Sequence, residues 1–450
     1  MPFSESSRVE KKGKDDTLRL RMNENLSIKS PNSQPLETLY EAVAEAQRLF
    51  LRGLESPAGE KARRHLYQER RLPQELIARE GFGYVPPGWG TVTIHLVKSG
   101  IPLEAAAEAG LVMRSVGRTR KAFTARMGKE PTSSEELTSF FFEHCAGNPE
   151  FYYDYPLCYM ADGSRQSGDW LTIPLRVRAP DGQLRIAGFQ YRTMRPADEV
   201  VKQGRYMSPP GASRLISWSE FIIGLVDQEE AMRRSGKVII CEGKFDQAAV
   251  LAAVSRLPED RRPGVVALAG VAIRGATGSS PEERAGIFRQ LAVGQATFFL
   301  DDDETGTNAV LTAGPLLEAL GTRVSVARIE TDGIKDPGEL YAQAGADAVL
   351  AVLERARNRG LVTHALAVLD RALDQNPMSG QVWRRQQEID RLLPILKVLP
   401  EPVRTRALER CVEQTGIGYG VFEIGLALQD DGVLARRVSA GKCPERRRRR

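Results

Sequence analysis

Residues 237 to 246 read Lys-Val-Ile-Ile-Cys-Glu-Gly-Lys-Phe-Asp, and this stretch decides the fold. Val238, Ile239, Ile240 and Cys241 form an unbroken apolar run, which suits a strand covered on both faces rather than one with a wet side. Glu242 and Gly243 follow at once, so the chain turns where a carboxylate leaves the strand. Three further runs repeat the pattern: GVVALA from 264, ATFFL from 296 and RVSVARI from 323. Helical stretches separate them, and that alternation predicts a parallel α/β sheet with helices on both faces. In such sheets ligands collect at the carboxyl ends of the strands, and there the second informative group stands: Asp301, Asp302 and Asp303 directly after ATFFL. Alternation along extended chain sends Asp301 and Asp303 one way and Asp302 the other. Carboxylates so placed repel one another unless a cation neutralises them. Oxygen ligands suit Mg²⁺ or Mn²⁺. Gly306 frees the backbone for a helix expected near Asn308.

Working outward, residues 1–35 are polar and of mixed charge and are expected to be a disordered arm. From Glu37 to Leu51 the apolar residues Leu39, Val43, Ala46, Leu49 and Phe50 recur at helical spacing, with Gly53 placed to end the helix. Ser56-Pro57 reads as an N-cap with Pro at the first helical position. A short helix over Pro73 to Arg79 ends in the turn-like Gly81-Phe82-Gly83-Tyr84, so the first folded residues read as helical. The aromatic cluster Phe140 to Phe142 with Phe151, Tyr152, Tyr153 and Tyr155 lacks interleaved basic residues and reads as local core rather than a base-stacking surface. LTIPLRVR and LRIAGFQYR, joined by Pro180-Asp181-Gly182, predict a hairpin. Helices return from about 360 to 430.

The balance of 63 Lys+Arg against 58 Asp+Glu is +5, and five of the positive charges are the terminal Arg446 to Arg450. This argues against coating nucleic acid by bulk charge, while leaving room for a local basic track. Five scattered cysteines with no CxxC exclude a disulfide framework or a zinc ribbon. Without an apolar N-terminal segment or a membrane-length run, a cytoplasmic protein is expected, with no membrane partner. His65, His95 and His364 show no catalytic partner in the sequence and read as structural.

Taken in order, Glu242-Gly243-Lys244-Phe245-Asp246, Asp301-x-Asp303 and Lys335-Asp336-Pro337-Gly338-Glu339 resemble a Toprim domain, that of bacterial DnaG-type primases, which carry EGxxD, DxD and KDPDE. Residues 62–89 resemble the start of the primase catalytic core, 171–192 its basic strand pair, 204–210 its KYLNSP motif, and 360–430 its closing helical subdomain. The resemblance covers most of residues 37–430. It implies a Toprim-type parallel sheet flanked by an N-terminal mixed α+β basic subdomain and a C-terminal helical subdomain. The segments are an arm at 1–35, an N-terminal core subdomain at 36–232, the Toprim domain at 233–357, the helical subdomain at 358–432 and a basic tail at 433–450.

The activity implied is synthesis of short RNA primers on single-stranded DNA from ribonucleoside triphosphates. Glu242, Asp301 and Asp303 would be catalytic and, with Asp246 and Asp336 in support, would bind Mg²⁺ or Mn²⁺. Arg192, Arg205, Tyr206, Lys244 and Lys335 would meet nucleic acid or nucleotide phosphate. Such primases open with a zinc ribbon and close with a helicase-binding domain. The sequence is expected to have neither, so no zinc is expected, and a replicative helicase or a separate zinc-binding initiation protein becomes an implied partner. A plasmid, phage or other mobile element is the context this architecture suggests, with nucleoid association. Trp218 falls near a family lysine, Gly338 replaces an acidic residue of KDPDE, and the KYLNSP asparagine is missing. A Toprim nuclease and a non-catalytic DNA-binding or helicase-accessory protein are the alternative functions.

Overall fold

The computed structural model describes residues 33–160, 164–196, 206–208, 213–216, 221–268, 281–374 and 382–427. Arg205, Trp218, nearly all of the expected arm and the basic tail lie outside the described residues. The chain divides into two units, Met1–Asp227 and Gln228–Arg450.

The first unit begins with helix α1 (Leu36–Glu55). Leu39, Val43, Ala46 and Phe50 form its inner face and are fully buried, as their spacing predicts. Gly53 does not end this helix. It lies inside it, against the next strand: a Cβ there would stand 2.1 Å from the Tyr84 carbonyl oxygen. Glycine is required at this point for close approach of helix and strand, not as a cap. Ser56 stands at the N-cap with Pro57 at the first position of a 3₁₀ turn, as expected, although its hydroxyl donates back to the Gly53 carbonyl at 2.7 Å instead of capping. Helix α2 (Gln74–Glu80) ends at Gly81 in the left-handed region, φ 73°. The following residues are a strand rather than a turn: β1 (Gly83–Val85) joins a four-stranded antiparallel sheet. Three residues are too few to show a strand period in sequence.

Helix α3 spans Thr91–Lys98. Two small ribbons follow, β2 (Val112–Arg114) with β3 (Tyr152–Asp154), and β4 (Leu157–Tyr159) with β5 (Arg165–Ser167). The main hairpin is β6 (Trp170–Arg178) and β7 (Leu184–Thr193), and β8 (Tyr206–Met207) completes the order β1-β6-β7-β8. Gly182, φ 80°, serves the hairpin turn. Phe50 meets Phe189 edge-to-face at 4.9 Å, docking α1 on the sheet. Phe140, Phe141 and Tyr152 are buried in the same core, so the aromatic cluster is packing, as expected.

The second unit holds the four strands expected from the apolar runs: β9 (Lys237–Cys241), β10 (Gly264–Ala267), β11 (Gln295–Phe299) and β12 (Arg323–Val326). All neighbours are parallel, in the order β10-β9-β11-β12. From β9 the chain steps outward to β10, then returns across β9 to β11. Right-handed crossovers therefore place α4 (Lys244–Val254) on one face and α5 (Glu304–Ala319) on the other. Helix α6 (Pro337–Ala356), broken at Gly345 with φ 79°, packs with α4. Helices α7 (Leu361–Asp374), α8 (Val382–Val398) and α9 (Glu401–Thr415) build a separate core around Leu369, Leu392, Leu396 and Phe422, all fully buried. Among the described residues no helix is long and apolar enough to cross a membrane.

The Gly53 contact is open to test. Gly53→Ala is expected to destabilise the protein by about 2–3 kcal/mol, because the clash is with backbone that cannot rotate away; urea denaturation measures it. A change within error would show that α1 and β1 are not in this close contact.

Candidate active site

The order β10-β9-β11-β12 reverses direction between β9 and β11, and open α/β sheets hold ligands in the crevice at such a switch point. Cys241 pairs with Phe299. Glu242 and Asp301 therefore leave neighbouring strands at almost the same level.

Of the five predicted acidic ligands, three have a structural occupation. Asp303 caps α5, its Oδ1 accepting from the Gly306 amide at 2.8 Å. Asp336 caps α6 by accepting from the Glu339 amide at 2.6 Å. Asp246 accepts from the Gly243 amide at 3.2 Å and from the Gly338 amide at 3.3 Å, tying the EGKFD turn to the KDPGE turn. Exposed amides and the helix dipole make a helix N-terminus a favourable place for an acidic side chain. Helix α5 begins at Glu304, earlier than Asn308, because Asp303 supplies the cap. Gly306 is needed for a different reason than a turn: a Cβ there would lie 2.3 Å from the Asp301 carbonyl oxygen.

Glu242 and Asp301 differ from these three. Glu242 Oε2 and Asp301 Oδ1 are buried and accept no hydrogen bond from the described residues. Burial first, then the charge of Asp303, raises the Glu242 carboxyl above its usual range, against a hydrogen bond from the Asp301 backbone. Burial and then the charges of Glu242, Asp336 and Asp303 push Asp301 up to about 7. The charges of Asp303 and Asp336 thus contribute to both shifts. The carboxylates do not form a ready-made cage: among the described residues no three His, Cys, Asp or Glu side chains group as a metal-holding cluster. Two hard, unpartnered carboxylate oxygens under mutual repulsion nevertheless fit the chemistry of a small divalent cation.

The predicted cations separate. Lys335 is exposed beside this crevice, and its carbonyl accepts from the Asp302 amide at 3.3 Å. Lys244 requires a correction: it is 3% exposed, and its ammonium donates to Gln247 Oε1 at 2.8 Å. Gln247 in turn donates to the Val265 carbonyl at 2.7 Å. As the first residue of α4, Lys244 has its stem directed into the unit, so it braces α4 and does not meet phosphate at the surface.

In the first unit, Arg192 on β7 stands directly opposite Tyr206 on β8. Tyr206 is 39% exposed. The structure brings these two predicted nucleic-acid residues together and adds a pair the sequence did not reveal. His65 and Glu69 lie in a π-helical turn, with 2.6 Å between His65 Nδ1 and Glu69 Oε2. Burial, reinforced by the Arg192 charge, drives His65 down to about 4. The ring is therefore neutral near pH 7 and donates through Nδ1 to the carboxylate. The wide turn is the only signal, and no side-chain period announces it.

No protein-family model matches the chain. The DNA primase of Synechocystis sp. is 27% identical over 285 residues, which are 63% of this chain and 35% of that protein. Among solved structures, the RNA polymerase domain of Mycobacterium tuberculosis primase DnaG matches with a TM-score of 0.56 and 21% identity, covering 84% of this chain and 99% of that one. The fold is that of a DnaG-type primase catalytic core. A DnaG primase catalytic domain bound to single-stranded DNA matches with a TM-score of 0.51 and 19% identity over 85% of this chain and 96% of that one. The chain spans no more than half the length of the curated DNA primases it matches. In this fold, Glu242 Oε2 and Asp301 Oδ1 sit without a donor among the described residues at the switch point of the parallel sheet.

Asp301 also sets a pH dependence. Its folded pKa lies above the unfolded carboxylate value, so its contribution to stability is complete below about pH 4 and is lost as pH rises through about 7. Asp301→Asn is expected to abolish that loss and to stabilise the metal-free protein at pH 8 by about 1–2 kcal/mol after solvent screening. Thermal melts at pH 5 and pH 8 in EDTA read it; a variant less stable than the parent at pH 8 would contradict the assignment.

Proposed function

We propose that the chain is a primase-type nucleotidyltransferase that makes short RNA primers on single-stranded DNA, with the parallel-sheet unit acting as a Toprim domain. The observation that carries the reading is the pair of buried, unpartnered carboxylate oxygens of Glu242 and Asp301 at the switch point of a DnaG-type fold. The likeness to DNA primases in sequence, and to a primase domain solved with single-stranded DNA, supports template and product class.

Glu242 and Asp301 would hold Mg²⁺ or Mn²⁺ through those two oxygens, with Asp303 beside them. When bound, the cation supplies a Lewis acid that offsets charge on the transferring phosphate. The chain's own residues do the positioning. Asp246 ties the two acidic turns together, and Asp336 fixes the start of α6. The helix starts at Lys244, Glu304 and Pro337 lie at the carboxyl ends of the strands and keep the field there less negative than the carboxylates alone would make it. Lys335 would meet nucleotide phosphate as a point charge. Arg192 would hold a template phosphate while the exposed Tyr206 ring offers a face to a base. His65 and Glu69 lie within electrostatic range of Arg192: the neutral ring adds no competing positive charge, and the Glu69 carboxylate acts as a counter-charge.

The full chain with Mg²⁺ or Mn²⁺, a single-stranded template and ribonucleotides is expected to yield short RNAs. Glu242→Ala and Asp301→Ala should each lower the yield by about 10³-fold, the scale expected when a phosphate's electrostatic partner is removed. Undiminished synthesis in both variants would remove the assignment. Template cleavage without RNA synthesis would make the chain a Toprim nuclease instead.

A further inference from the structure

Asp302 lies between two of the acidic residues discussed above, yet its side chain serves something else. Its Oδ2 accepts from Arg328 Nε at 3.2 Å, and its Oδ1 accepts from Arg371 Nη1 at 3.4 Å. The two guanidinium groups come from different elements: Arg328 follows β12, and Arg371 projects from α7. None of the three side chains is buried, with exposures of 30%, 37% and 32% for Arg328, Arg371 and Asp302.

The charges do not balance. Arg359, in the turn before α7, pairs with Glu330 at 2.7 Å. Three arginines thus face two carboxylates. His364 stands seven residues before Arg371 on the same face of α7. It is 7% exposed, and the charges around it are Arg371, Arg328, Asp302 and Arg359. His364 Nε2 and Arg371 Nε are both buried without a hydrogen-bond partner among the described residues. Buried polar groups are ordinarily paired, so these two atoms mark hydrogen-bonding capacity that the cluster leaves unused.

Two guanidiniums converging on a single carboxylate also present a small, sharply focused target. Their geometry matches a compact, multiply charged oxyanion and contrasts with the extended track that a nucleic-acid backbone needs. The position is adjacent in the chain to Asp301, and the Asp302 amide is hydrogen-bonded to the Lys335 carbonyl.

We propose that Arg328 and Arg371 form a subsite for the polyphosphate of a nucleoside triphosphate or for the pyrophosphate released from it, with Asp302 as the resident anion that the ligand displaces. This assignment rests on the phosphoryl-transfer reading of the neighbouring carboxylates. Asp302 keeps the guanidiniums aimed and neutralised in the free protein. An incoming phosphate takes over its two contacts. No covalent change is involved.

Calorimetric titration of the full chain with pyrophosphate, in Mg²⁺ and in EDTA, tests the subsite, alongside melts of each variant and binding of labelled oligo-dT. Arg328→Gln and Arg371→Gln should each weaken pyrophosphate binding about tenfold, as expected for one charge-assisted contact, and leave oligo-dT binding unchanged. Asp302→Asn should tighten pyrophosphate binding several-fold, since it removes the competitor. If Arg371→Gln fails to melt cooperatively, Arg371→Lys replaces it: it keeps the charge but loses the fork, and a several-fold loss is expected.

Unchanged pyrophosphate affinity in a folded double glutamine variant would overturn the subsite. So would a loss confined to oligo-dT, which would give these arginines to the nucleic-acid backbone. Weaker pyrophosphate binding by Asp302→Asn would overturn displacement. The underlying reading is judged separately by Glu242→Gln with Asp301→Asn. If only that pair loses the Mg²⁺-dependent part of pyrophosphate binding, the phosphoryl reading stands while the arginine subsite falls. If the wild type shows no Mg²⁺-dependent part at all, the phosphoryl reading falls, and binding in EDTA alone decides the subsite.

Discussion

At the ends of adjacent strands the second unit places two half-buried carboxylates, Glu242 and Asp301, each with one oxygen that meets no donor among the described residues. Glu242 and Asp301 are brought together by the register of β9 and β11. Leaving buried carboxylate oxygens without donors is unfavourable. Three neighbouring acids are occupied elsewhere: Asp246, Asp303 and Asp336 each accept backbone amides at a helix start.

How much of this could be read in advance follows from the kind of signal each feature leaves. The four parallel strands are legible because an apolar run between helices has few other interpretations, and their carboxyl ends are legible with them. The ordered motifs identify the acidic residues. They do not distinguish a residue that caps a helix from one with a free oxygen, because Asp303 and Asp301 look alike in DDDE and diverge only when Asp303 finds the Gly306 amide. Lys244 shows the same limit: a lysine inside a phosphate-type motif suggests a surface contact, whereas the first turn of α4 folds its stem inward onto Gln247.

Features that join distant positions leave no trace at all. Asp302 reaches Arg328 across 26 residues and Arg371 across 69, with no period or spacing to link them. The strand β1 and the close pass of Gly53 under Tyr84 are hidden for a related reason. A glycine at the end of an apolar helical stretch resembles a cap, and only the packed sheet shows that it is a point of contact. The near-neutral total charge conceals, in the same way, an acidic pair in one unit and the Arg192 and Tyr206 face in the other.

If Glu242 and Asp301 hold a divalent cation, as proposed, Mn²⁺ binding followed by electron paramagnetic resonance reads it without any turnover. A saturable Mn²⁺ signal is expected at pH 8, and it is lost in the Glu242→Gln, Asp301→Asn double variant while the protein still melts cooperatively. Equal Mn²⁺ affinity in the folded double variant and the parent would contradict it.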